Sequence, residues 1–156
     1  MTSTELFAVA SFTLFSFADL RYRLVPAIEV FFVAALALSL PDAPLQVGII
    51  LLAFAWGWLP RWPSFLALPL LFYPAAWVVL LTGYGVRHGV IGKADLLAVA
   101  GLACLFPWPA LILAALGLEV WRRFWVRHKN GPVPALPGML LGILVYLLTR
   151  LFVPGL

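Results

Sequence analysis

Charge is what this chain has least of. Only 10% of its 156 residues are Asp, Glu, Lys or Arg, while 65% are hydrophobic and the mean hydropathy is +1.09; soluble domains are about 45–50% apolar and about 25% charged. The balance speaks against a water-soluble globule. The six acids are Glu5, Asp19, Glu29, Asp42, Asp95 and Glu119, and ten Lys and Arg leave a net charge of +4. Cysteine is nearly absent too. A lone Cys104 excludes a disulfide framework and a paired-cysteine zinc module, and His88 and His128, 40 positions apart with no cysteine or acid cluster beside them, give no metal ligand set. The first residues lack the basic stretch of a cleavable signal peptide, so the first apolar segment reads as a retained helix.

What is present is long apolar sequence. Charge-free runs cover residues 6–18, 30–41, 43–60, 62–86, 96–118 and 130–149, and a spanning helix needs about 20 apolar residues. The expectation is an all-helical, polytopic membrane protein, one domain over residues 1–156, with about six spans. Helices are expected over 5–20, 26–40, 45–59, 64–82, from Asp95 to Phe106, over 108–124 and over 137–152, divided by Pro41, Pro44, Pro60, Pro63 and Pro107. Residues 83–92, rich in glycine, read as a loop. Arg21 and Arg23, Arg87 and Lys93, and Arg122, Arg123, Arg127 and Lys129 assign their loops to the cytoplasmic side. That leaves an odd number of apolar pieces between Asp19 and Asp95, so the short piece 45–59, ending in Trp56, Trp58 and Trp62, reads as re-entrant or interfacial. The expected location is the cell membrane, multi-pass.

Asp19 and Asp95 are the candidate reactive groups, because an acid at membrane depth is costly enough to suggest a function. Two carboxylates near each other share one proton; the ionised one activates water while the protonated one polarises a carbonyl. The plainer reading makes both helix-end acids, Asp95 being placed to cap its helix. Ser11 and Ser16 share the Asp19 side of the first helix, either packing against a neighbour or lining a wet path. Glu119 is spaced to pair with Arg122 or Arg123. The basic run 122–129 reads as an anchor on membrane lipid rather than a nucleic-acid patch.

These residues carry a resemblance. The stretch from Asp19 through Arg23 to Pro26 resembles the first signature of the type IV prepilin peptidase family, which includes the archaeal preflagellin peptidases and belongs to the GxGD-type aspartic proteases. Gly92, Lys93, Ala94 and Asp95 resemble its Gly-x-Gly-Asp signature, and Pro134 and Pro137 its late proline pair. The resemblance implies a minimal member without the cysteine-bearing domain, with Asp19 and Asp95 as the catalytic pair. It implies removal of the short basic leader from type IV pilin-like or archaellin-like precursors, on the cytoplasmic side and without a cofactor. Two departures stand out. Ala94 occupies a glycine position, which predicts a strained or altered turn, and Leu97 stands where a lysine is frequent. The alternatives are a small transporter or channel subunit with Asp19, Glu29 and Asp95 as ion ligands, and an inactive scaffold of the same fold.

Overall fold

The computed structural model describes residues 2–23, 25, 27–58, 73–89, 91–129 and 132–153. Pro26, the break at 60–63, the first part of the 64–82 run and the side chains of Trp56, Trp58 and Trp62 lie outside the described residues. The described residues form seven helices: α1 (Ser3–Tyr22), α2 (Ile28–Ser39), α3 (Pro44–Trp58), α4 (Pro74–Arg87), α5 (Lys93–Leu105), α6 (Trp108–His128) and α7 (Leu136–Phe152). The chain is all-helical, as expected. It divides into two compact units, residues 1–27 with 109–156 and residues 28–108.

The membrane expectation is overturned. Among the described residues no helix is long and apolar enough to cross a membrane. Helices α2, α3, α4, α5 and α7 have 12, 15, 14, 13 and 17 residues, which at ~1.5 Å per residue makes them about 18–26 Å long, short of a bilayer core of about 30 Å. The longer α1 and α6, of 20 and 21 residues, carry charge within them: Glu5, Asp19 and Arg21 in one, Glu119, Arg122, Arg123 and Arg127 in the other. The six spans, the multi-pass place in the cell membrane with its cytoplasmic site, and the re-entrant role of residues 45–59 are corrected accordingly. Helix α3 instead packs along α4 and buries Val47, Ile50 and Ala53.

The unit of residues 1–27 and 109–156 is built on an antiparallel pair. Helix α1 starts in a capping box, the Glu5 N–H donating to Thr2 Oγ1 at 3.2 Å and the Thr2 N–H to Glu5 Oε2 at 2.7 Å. It ends at Arg23, whose left-handed backbone (φ 57) lets its N–H reach the Asp19 carbonyl at 3.2 Å. One stripe, Glu5, Ala8, Phe12 and Ser16, is buried, and the half-buried Asp19 continues it at helical spacing. That stripe meets α7. Glu5 pairs with Arg150 at one end and Asp19 accepts the Leu136 N–H at the other. On its other side α7 lies against α6 at glycines: a Cβ on Gly138 would stand 2.6 Å from Leu118 Cα, and one on Gly117 2.6 Å from the Gly142 nitrogen. Only hydrogen fits there.

The unit of residues 28–108 centres on α5, nearly every residue of which from Leu96 to Cys104 is buried. Helices α2 and α4 pack on it, with Phe31 against the bare backbone of Gly101. The last carbonyls of a helix have no partner within it. Here Ser39 Oγ donates to Cys104 O at 2.9 Å and Gln46 Nε2 to Ala103 O at 3.0 Å, so α2 and α3 close the end of α5. The first half of the expected glycine loop is helix. Helix α4 runs on through Gly83 and Gly85 to Arg87, and Ile91 seats against Gly85, because no proline or polar cluster interrupts the apolar spacing before His88.

Candidate active site

Asp19 stands where α1 ends and α7 begins. Leu136 is the first residue of α7, so its N–H is one of the donors a helix leaves unpaired. The residue before it, Ala135, offers no side-chain cap, and Asp19 Oδ2 supplies the acceptor from another helix at 3.3 Å. Pro134 is fully buried just before this contact, and Pro137 follows in the first turn of α7, where a missing N–H costs nothing. The structure therefore brings Asp19 together with the segment between the two prolines, which lie more than a hundred residues away in sequence. Arg23 is near enough to act on Asp19 through its charge, while its guanidinium lies 4.8 Å over the Trp125 ring.

Burial pushes the Asp19 carboxyl up. The Leu136 amide, the Arg23 charge and the Ala135 amide pull the other way without offsetting it, and the proton is held above the ordinary value of 3.8. A carboxyl in this state is suited to donating a proton.

Asp95 belongs to the other unit, in the first turn of α5. Its Oδ2 accepts the Gly92 N–H at 3.2 Å, and a Cβ on Gly92 would stand 3.1 Å from that oxygen. Glycine at 92 thus gives room for the carboxylate. It is not needed for a left-handed backbone, since φ there is −76. Ala94 lies inside α5, and the described non-glycine residues at positive φ are Arg23 and Ala27. The strain expected at Ala94 is therefore absent; the turn into Asp95 is made by Gly92 and the helix begins at Lys93. Lys93 is exposed at that first position. Asp95 is half-buried.

Glu119 takes the expected partners: Arg122 Nε and Nη2 reach it at 2.7 and 2.8 Å and Arg123 Nε at 2.8 Å, which holds its carboxyl down at about 2. Glu29 is exposed in the first turn of α2. Among the described residues no group of three or more His, Cys, Asp or Glu is placed to hold a metal ion.

Two features escaped the sequence reading. The first is the Glu5–Arg150 pair, 145 positions apart, with Glu5 buried. Its only sequence signal is an acid on the apolar stripe of α1. The second is a set of buried polar atoms without hydrogen-bond partners: Ser16 Oγ and the indole nitrogens of Trp121 and Trp125. An unpaired buried donor costs about 1–3 kcal/mol. Comparison with protein-family models, with curated proteins and with solved structures finds no match to this chain.

Proposed function

We propose that this protein is an aspartic endopeptidase of the prepilin peptidase type, which removes the short basic leader of pilin-like or archaellin-like precursors. The observation that carries the reading is the state of Asp19: a half-buried carboxyl with its proton affinity raised, set against the segment between Pro134 and Pro137 that the resemblance also singles out. In the two-acid chemistry that the resemblance implies, Asp95 takes a proton from water as the water oxygen bonds to the scissile carbonyl carbon. Asp19 gives its proton to the carbonyl oxygen. Collapse of the tetrahedral adduct breaks the C–N bond: the leaving nitrogen takes the proton held by Asp95, and the oxygen returns its proton to Asp19 as the carbonyl re-forms.

A second reading, an inactive scaffold, is favoured by one observation: both acids also do capping work, Asp19 on Leu136 and Asp95 on Gly92. Incubation of the full chain with a leader-bearing pilin-like precursor, followed by mass determination of the product, separates the two. The peptidase reading expects a cut between leader and hydrophobic segment, reduced about 10²–10⁴-fold by Asp19→Asn and by Asp95→Asn, the usual weight of an acid or base group. No cleavage by the wild type leaves the scaffold reading, and undiminished cleavage by either variant overturns the two-aspartate mechanism.

A further inference from the structure

Ser16 is buried on the stripe that α1 turns toward α7, and its hydroxyl has no hydrogen-bond partner among the described residues. Three helical threonines do find one. Thr13 donates to Val9 O at 2.7 Å, Thr82 to Val78 O at 2.7 Å and Thr149 to Tyr146 O at 2.8 Å. Ser16 also lies three positions before Asp19, so the two side chains are neighbours on one helix face. Side chains of a helix lean toward its N-terminus, which tilts the Asp19 carboxyl back over the turn that carries Ser16.

We infer that Ser16 is a positioning residue for Asp19: its hydroxyl rotates to donate a hydrogen bond to the Asp19 carboxylate once that group has given up its proton. The inference deepens the peptidase reading and rests on it, in that it gives the acid of the reaction a support of its own. The movement is a change of the Ser16 rotamer about χ1, which shifts the oxygen as well as its one proton, since in the resting structure Oγ has no partner in hydrogen-bonding position. The resting hydroxyl is left unpaired, which costs stability, and the donor comes into use in the ionised state, where bonds to charge are the stronger kind. The charged and polar groups acting on Asp19 are Arg23 from its own segment and the Ala135 and Leu136 amides from α7. Arg150 of α7 is committed to Glu5 at the far end, and Lys129, just after α6, lies over the Trp125 ring.

The test is Ser16→Ala in the full chain, read in two ways. The first is the carboxyl carbon titration of Asp19 by NMR, which requires no substrate; the second is the pH profile of precursor cleavage. Loss of a donor to the charged form raises the midpoint, so Asp19 is expected to titrate up to about one pH unit higher. The alkaline limb of kcat, where the acid loses its proton, should move with it, cleavage should fall about tenfold at the wild-type optimum, and thermal stability should be unchanged or higher because a buried unpaired hydroxyl has gone. Ser16→Thr, which keeps the hydroxyl, should stay near the wild-type midpoint, and it also serves if Ser16→Ala folds poorly. An Asp19 midpoint that does not move in Ser16→Ala, or that moves equally in Ser16→Thr, overturns the inference whatever cleavage does. Full cleavage by Asp19→Asn would instead overturn the peptidase reading, and the titration alone would then decide the role of Ser16.

Discussion

Helix α1 presents an acid to α7 at each end, and the two are treated in opposite ways. Glu5 meets the Arg150 guanidinium and the Thr2 N–H; burial pushes its carboxyl up, but these partners outweigh burial and leave it below the ordinary value of 4.5. Asp19 meets backbone amides and the more distant Arg23 charge, and burial prevails. The difference lies in the partner. A fork-shaped cation compensates the charge of a buried carboxylate, whereas amide dipoles orient it and leave its proton affinity high. One end of α1 is a clasp. The other combines a cap with a group poised for proton transfer.

The largest effect that can break this comparison is removal of the clasp. Glu5→Ala leaves Arg150 without its carboxylate and is expected to destabilise the protein by about 2–3 kcal/mol, less than the ~3–5 of a fully buried pair because Arg150 is partly exposed. Asp19→Asn keeps an acceptor for Leu136 and should stay within about 1 kcal/mol of wild type. Denaturant midpoints of the two variants check the contrast, and equal losses would break it. A change that moves α7 as a whole sharpens it. Gly142→Ala places a methyl on the α6 backbone at Leu113 and Ala114 and is expected to cost about 1–3 kcal/mol; Asp19 and Glu5 should both titrate closer to their ordinary values, because both contacts depend on where α7 lies.

Acidity separates the ends with opposite sign. Glu5, lowered in the folded state, contributes stability that is present above about pH 4.5 and lost as pH falls through its folded value. Asp19, raised, contributes stability that is present below about pH 3.8 and lost as pH rises through its folded value. Relative to wild type, Glu5→Gln should therefore lose less on acidification and Asp19→Asn more, as melting between pH 3 and 7 would record. The smallest expected effect is Arg150→Lys. It keeps the charge but gives up the fork, and should lower the denaturant midpoint less than Glu5→Ala does.

Much of the helical layout was legible because proline, glycine and charge punctuate the apolar runs. Pro41 and Pro44 divide α2 from α3, and Pro107 separates α5 from α6. Hydropathy did not reveal how the apolar residues are used: Phe12 is buried at 1% exposure while Phe17, five positions on, stands 61% exposed. Reading such runs by length gave spans where five helices have 12 to 17 residues and the two longer ones carry charge within them. Asp19 was legible as a candidate, and so was the proline pair, but their contact was not, since nothing local links position 19 to position 136. Ala94 was misread for a related reason. The glycine beside Asp95 serves space rather than backbone angle, and sequence alone does not tell these apart.

The most direct measurement is precursor cleavage per folded molecule, compared for wild type, Glu5→Gln and Asp19→Asn, with folded fractions set equal by adjusting denaturant. The account predicts that Glu5→Gln cleaves close to the wild-type rate once its lower stability is matched, whereas Asp19→Asn stays about 10²–10⁴-fold slower although it is the more stable of the two. Equal rates in the two variants at matched folding would contradict it, because Asp19 would then be no more than a second clasp.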